Sequence, residues 1–212
     1  MNNNKKYAEG KFKEYLDDLA AGKPTPGGGS AAAAAGALGV GLLSMVANFT
    51  IGKDKYKDVE AEIRKTLSSS EKLRGRLQKL IDEDIAAYQK VSSAYKMPRQ
   101  TDEDKKARTE AIQVALKDAM AAPLAACRTL FEAMKLCRPL LEKGNRNLVS
   151  DVGVAAQLIA SAFESALLNV EINLSAIRDR DLADEINKEL SAKEKQIQII
   201  KENIVKQVKR KI

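Results

Sequence analysis

The alternation of apolar and polar positions divides the chain into a succession of helices. Phe12, Tyr15, Leu16 and Leu19 recur at helical spacing and form one apolar stripe, which predicts a first helix from about Asn4 to Ala21. Gly22 ends it, and Lys23–Pro24–Thr25–Pro26 cannot continue it. From Pro26 to Gly52 there is no charged residue: Gly27–Gly28–Gly29–Ser30 opens a run of alanines, with Gly36, Gly39 and Gly41 behind it. That stretch is long enough to cross a bilayer. Its Ala, Gly, Ser and Asn add little to insertion, however, and it reads better as the buried central helix of a bundle. Small side chains on it would let neighbouring backbones, or a ligand, approach closely.

An amphipathic segment follows from about Asp54 to Lys96, closed by Pro98, with Val59, Ile63, Leu67, Leu77, Ile81, Tyr88 and Val91 on its inner face. Thr101 and Asp104 have capping-box spacing for the next helix, which runs to about Met120, where Pro123 is expected to kink or break it. Leu124 to Glu142 forms a further segment, punctuated by Pro139 and Gly144. The loop Gly144–Asp151 leads into a strongly apolar helix to about Ile177, lined by Val152, Ile159, Phe163 and Val170. The last helix covers about Ala183 to Ile212, with Ile186, Leu190, Ile197, Ile200, Ile204 and Val208 as its stripe. There is no fixed-period repeat and no strand-like alternation. The predicted fold class is therefore all-α: a multi-helix bundle of long amphipathic helices, forming one domain over residues 1–212. Its long, partly exposed stripes point to a homodimer.

Composition narrows the function. Aromatic residues are only 4% and Trp is absent, which with the long Ala, Leu, Lys and Glu runs supports helix throughout. A net charge of +7 suits an anionic partner. The basic residues are nevertheless dispersed among 29 acids, and no aromatic-plus-basic reading motif accompanies them, so no nucleic-acid partner is expected. Lys201, Lys206, Lys209, Arg210 and Lys211 read as a solvated helix face. A non-enzymatic basic helical protein that binds its partner through that face is the alternative from another class. Cys127 and Cys137 lie in an apolar region without CxxC spacing and read as buried, reduced thiols, with no metal site. Histidine is absent, which removes Ser–His and Cys–His nucleophiles and His-ligated metals. The N-terminal MNNNKKYAEG has no apolar stretch of the signal-peptide kind, so a cytoplasmic protein with no membrane association is expected.

Acid–base chemistry must then come from Asp, Glu, Lys, Tyr or Cys, and Asp84 is the most informative position. At about 100° per residue it falls in the middle of the apolar face made by Leu77, Leu80, Ile81, Tyr88 and Val91, whereas Asp82 and Glu83 point away. A carboxylate there is costly unless paired, protonated or used. Two readings stay open: a structural partner for a core Arg or Tyr, or a functional group facing a cavity. The PTPGGGS segment likewise either caps its helix through Ser30 or forms an anion cradle from backbone N–H groups. In the loop Gly144–Asp151, Asn147 or Ser150 is a candidate N-cap and Asp151 gains from the helix dipole. Asn169 and Asn173 lie one turn apart beside an apolar face, where buried amides need partners from another helix or from a heterocycle.

These motifs occur in an order that resembles a known family. Pro24–Thr25–Pro26–Gly27–Gly28–Gly29–Ser30 with its Ala-rich helix, then Met45–Val46–Ala47–Asn48–Phe49–Thr50 with Gly52–Lys53, is similar to the formiminotransferase-cyclodeaminase C-terminal domain family. Asp84–Ile85–Ala86–Ala87–Tyr88, Met97–Pro98, Pro123, the Gly144–Asp151 loop and Asn169–Val170–Glu171–Ile172–Asn173–Leu174 continue the likeness, which spans about residues 5 to 205. The resemblance implies a helical, dimerising domain acting on one-carbon adducts of tetrahydrofolate, with no cofactor beyond that substrate. The expected activity is methenyltetrahydrofolate cyclohydrolase, opening 5,10-methenyltetrahydrofolate to 10-formyltetrahydrofolate. The alternative is formiminotetrahydrofolate cyclodeaminase, which closes 5-formiminotetrahydrofolate to the methenyl form with loss of ammonia. The absence of a formiminotransferase domain from the chain favours the first. Asp84 and Asp151 are the candidate catalytic carboxylates. Gly27, Gly28, Gly29, Ser30 and Lys53 are candidates for the folate tail, polyglutamylated or not. Asn48, Asn147, Asn169 and Asn173 are candidates for the pterin.

Overall fold

In the computed structural model, which describes residues 6–212, every regular element is helical. The helices are α1 (Phe12–Ala20), α2 (Gly28–Asn48), α3 (Glu60–Tyr95), α4 (Asp102–Lys135), α5 (Cys137–Lys143), α6 (Val149–Ala176) and α7 (Arg180–Lys211), with short 3-10 turns at Tyr7–Glu9, Asp54–Val59 and Arg146–Leu148. Four of them close a ring: α2 packs on α3 and α6, and α4 packs on the same two from the other side. α7 lies against α6 outside that ring. Leu43, Leu77, Leu130, Ile159 and Phe163, one or more from each ring helix, are fully buried at its centre.

The small-residue pattern of α2 sets how closely the ring closes. At Gly36 the space of a Cβ is taken by Leu130, whose Cδ2 would lie 2.5 Å away, and at Gly39 by Ile159 and Leu158, at 3.0 and 3.1 Å. Gly28 meets Asn169 while Gly36 meets Ala162 and Gly39 meets Ile159, so α2 and α6 run antiparallel. Their far ends are clamped by the Gly144–Asp151 loop. Asn145 donates its backbone N–H to Thr50 Oγ1 (2.9 Å) and its side-chain amide to the Phe49 carbonyl (3.1 Å), and Arg146 N–H reaches the Tyr56 hydroxyl (3.1 Å).

Several sequence expectations need correction. The first helix begins at Phe12, because Gly10 is extended and separates it from the turn at Tyr7–Glu9; Asn4 lies outside the described residues. Pro123 does not break its helix: α4 is continuous from Asp102 to Lys135 with Pro123 inside. Proline forfeits one backbone bond, to the carbonyl of Ala119, and the buried apolar positions flanking it (Met120, Ala122, Leu124 and Ala126) hold the helix together regardless. The chain instead turns at Leu136, and Pro139 falls in the first turn of α5, where its missing N–H costs no helical bond. The capping box forms as expected, with Asp104 N–H on Thr101 Oγ1 (3.0 Å) and Thr101 N–H on Asp104 Oδ2 (3.1 Å). Neither Asn147 nor Ser150 caps α6. α6 has no side-chain cap, and Asn145 caps the preceding Arg146–Leu148 turn, accepting from Asn147 N–H (3.1 Å).

α2 is also not buried all round. Leu38 is 56% exposed, and Ala31, Ala34, Ala35, Leu42 and Met45 are only partly covered. Beside them on α6, Leu168 is 66% and Ile172 68% exposed. The two antiparallel helices thus share one outward apolar face. Gly28–Asn48 and Arg146–Ala176 are each long and apolar enough to cross a membrane, with 56% of each window buried within the bundle.

Candidate active site

A cavity follows from the unequal lengths of the ring helices. α3 has 36 residues and α2 only 21, about 54 Å against 32 Å at 1.5 Å per residue. Pro24, Pro26 and the glycines prevent α2 from starting earlier, so α3, α4 and α6 continue past its N-terminus with no fourth helix between them. The space left is a cavity of about 360 Å³. Its floor is the Pro24–Gly29 entry to α2; its walls are Asp84, Tyr88 and Val91 of α3, Ala119 of α4, and Asn169, Ile172 and Asn173 of α6. The apolar stripe of α3 is therefore two surfaces in succession. Leu77, Leu80 and Ile81 are core, and from Asp84 onward the same face opens into the cavity.

Asp84 rests directly on the start of α2. A Cβ on Gly29 would lie 2.1 Å from Asp84 Oδ1, so the carboxyl occupies the volume that any other residue at position 29 would fill. The backbone N–H of Ser30 faces the carboxyl. This N–H belongs to the first turn of α2, where it has no intrahelical acceptor and the helix dipole favours a negative charge. Burial pushes the Asp84 carboxyl above its ordinary range, and the Ser30 bond pulls it back. Such a group exchanges protons nearer to neutral pH than a solvated aspartate.

Ser30 itself is fully buried. Its hydroxyl donates to the Gly27 carbonyl (3.0 Å) and meets the Tyr15 hydroxyl (3.1 Å), so it does not cap α2 through its side chain. Ser30, a sequence candidate for substrate binding, is thus placed inside the bundle beside the cavity and is not part of its lining. Tyr15, read from the sequence as stripe, is the polar residue missed; the only signal was a hydroxyl-bearing ring in an otherwise aliphatic and Phe stripe. On α6, Asn169 and Asn173 each spend an amide N–H on their own helix, at Ser165 O and Asn169 O (both 2.8 Å). Their Oδ1 atoms remain as acceptors. With the Asp84 carboxyl, the polar side chains of α3 and α6 at the cavity present oxygen acceptors to a donor-rich or cationic ring.

The remaining sequence candidates do not join this cluster. Asn48, Lys53 and Asn147 are exposed at the opposite end of α2 and α6. Asp151, in the first turn of α6, stands about 27 Å along that helix from Asn169. Within one protomer Asp84 and Asp151 do not form a catalytic pair, nor can Lys53 and Gly28 grip the same carboxylate. The sequence showed polar helix entries but not that α2 and α6 are antiparallel, which sends these motifs to separate ends. Gly27, Gly28, Gly29, Asp84, Asn169 and Asn173 do come together.

Known proteins share this architecture and sequence. A methenyltetrahydrofolate cyclohydrolase from Methylorubrum extorquens is 46% identical over 201 residues, covering 95% of this chain and 97% of its own. The formimidoyltransferase-cyclodeaminase of Rattus norvegicus is 32% identical over 178 residues, which are 84% of this chain but 32% of the rat protein. The crystal structure of formiminotetrahydrofolate cyclodeaminase from Thermotoga maritima matches with a TM-score of 0.78 at 33% identity, covering 96% of each chain. Residues 11–192 match the formiminotransferase-cyclodeaminase family, and the chain belongs to it.

Proposed function

We propose that the protein is a methenyltetrahydrofolate cyclohydrolase, converting 5,10-methenyltetrahydrofolate and water to 10-formyltetrahydrofolate, with Asp84 as the general base. The observation that carries this reading is a half-buried carboxylate, seated on Gly29 and backed by two amide oxygens, in a cavity with no other charged side chain in its lining. The methenyl carbon belongs to an amidinium cation, which such a set of acceptors complements. Asp84 takes a proton as a water oxygen bonds to that carbon, giving a neutral carbinolamine. The bond from carbon to N5 then breaks while the hydroxyl proton passes to N5, leaving the formyl group on N10. One proton is released to solvent in net. Asn169 and Asn173 orient the ring through their Oδ1 atoms, and Gly27 and Gly28 let it approach the backbone beside Asp84, which fills the space at Gly29. No metal or further cofactor enters these steps.

The cyclodeaminase reading draws on the Thermotoga relative, in which the fold is shared at lower identity. The 46% identity to a cyclohydrolase over nearly the whole chain favours hydrolysis. Decay of the methenyl chromophore with the purified protein tests the assignment: acceleration is expected in wild type and loss of it in Asp84→Asn. Formation of the chromophore from 5-formiminotetrahydrofolate, with no acceleration of its decay, would favour the deaminase instead.

We further propose that the apolar face of α2 and α6 is covered by a second copy of this chain rather than by lipid, giving a homodimer that works in the cytoplasm. Ile172 belongs both to that face and to the cavity wall, so dimerisation would shelter the site's mouth.

A further inference from the structure

The N-terminal segment is bound to the catalytic helices at two points. Tyr7 donates its backbone N–H to Asp82 Oδ1 of α3 (2.8 Å), and its ring packs edge-on against Tyr15 with centroids 5.4 Å apart. Tyr15, 5% exposed, brings its hydroxyl to Ser30 Oγ in the first turn of α2 at 3.1 Å. The direction of the bonds is fixed by elimination. The single hydroxyl proton of Ser30 goes to the Gly27 carbonyl, so Tyr15 is the donor to Ser30. Tyr15 O–H, Ser30 O–H and the Gly27 carbonyl form one chain, which pins the turn on which Asp84 is seated at Gly29 and whose Ser30 N–H faces its carboxyl.

Resting on the reading of Asp84 as general base, we infer that Tyr15 is a positioning residue for Asp84, acting through Ser30, so that the segment Tyr7–Ala20 is part of the acid–base apparatus. A tyrosine buried for packing alone needs an acceptor, but any main-chain carbonyl would serve. Here the acceptor is the one hydroxyl that fixes the first turn of α2 at Asp84. The titratable groups facing Asp84 are Tyr15 and, one turn along α3, Tyr88. The other elements present Gly28, Gly29 and Ser30 of α2, Ala119 of α4, and Asn169 and Asn173 of α6, all uncharged. Burial pushes the Tyr15 hydroxyl upward, the Ser30 bond opposes it and the nearby Asp84 charge adds to it, so the hydroxyl stays protonated as donor.

The test is the pH profile of turnover in Tyr15→Phe, measured with wild type and Asp84→Asn on methenyltetrahydrofolate. Loss of the hydroxyl should lower kcat roughly tenfold, the equivalent of one hydrogen bond, with KM nearly unchanged. Weakening the bond that favours ionised Asp84 should also move the limb on which activity rises with pH to higher pH. Ser30→Ala keeps the backbone N–H and the Tyr15 ring, and should move the limb the same way; it carries the test where Tyr15→Phe does not fold. If Asp84→Asn is inactive while both variants keep the wild-type limb and kcat, with only thermal stability changed, Tyr15 is structural and the inference is wrong. If Asp84→Asn retains full activity, the reading of Asp84 falls first, and the inference with it.

Discussion

Replacing Gly29 by alanine tests the seating of Asp84 without touching the carboxylate. The added Cβ would lie 2.1 Å from Oδ1, 2.6 Å from Cγ and 2.8 Å from Oδ2 of Asp84. Ordinary contact begins near 3.4 Å, so the carboxyl must retreat by more than about 1 Å, and a misplacement of about 1 Å costs on the order of 10²-fold in rate. Retreat also carries the carboxyl away from the Ser30 N–H, which is fixed in the helix next to the new methyl group. The backbone gains from the change: alanine is better than glycine in a helix by about 0.5–1 kcal/mol, which offsets part of the crowding. Gly29→Ala should therefore remain folded, with kcat for methenyltetrahydrofolate reduced about a hundredfold. Initial rates from chromophore decay, together with a thermal melt, measure both. A folded Gly29→Ala enzyme within about threefold of wild-type kcat, less than about 0.7 kcal/mol of barrier, would refute the seating of Asp84 on α2.

Other outcomes follow from the same contacts. Asp84→Asn should lose at least about 10²-fold in kcat, the usual share of a general base, while melting higher than wild type at neutral pH. The sign comes from burial, which raises the folded-state pKa of Asp84 above its unfolded value. The stabilising contribution of that shift is complete below the unfolded pKa and is lost as pH rises through the folded one; the advantage of Asn should accordingly fade on acidification in parallel melts. Gly75→Ala places a methyl group where nothing lies within 4 Å, and should stabilise α3 by about 0.5–1 kcal/mol in urea titration with turnover unchanged. Leu38→Lys puts a charge on the α2–α6 face and should convert a dimer to monomer in sedimentation; a wild-type monomer would contradict that interface. Burial pushes the thiols of Cys127 and Cys137 up to about 12, so neither should alkylate at mildly alkaline pH until the protein is unfolded.

Much of the bundle is legible in the sequence because its signals are local. The capping box at Thr101, the proline-glycine entry to α2 and the stripes of α3 and α7 depend on neighbours within a turn or two. Asp84 was legible for the same reason, as one carboxylate on an apolar face, and so were Asn169 and Asn173 as a pair one turn apart. What the pattern does not carry is the relative placement of helices. Asp151, Asn48, Lys53 and Asn147 carry the same polar chemistry as the cavity residues, and only the antiparallel pairing of α2 with α6 puts them at the other end. Pro123 shows the complementary failure: a strong local breaker is overridden by tertiary burial on both sides of it. Tyr15 is not legible in the same way, because a buried hydroxyl bonded to the hydroxyl of a residue on another helix leaves only a stripe position in the sequence.

The most direct measurement is the rate at which methenyltetrahydrofolate loses its chromophore in the presence of wild-type protein and of Asp84→Asn, with 10-formyltetrahydrofolate identified as the product. We expect catalysed opening by wild type and, in the variant, a rate reduced by at least about 10²-fold. A wild-type rate no faster than buffer, or an Asp84→Asn enzyme as fast as wild type, would contradict the assignment of a cyclohydrolase whose base is Asp84.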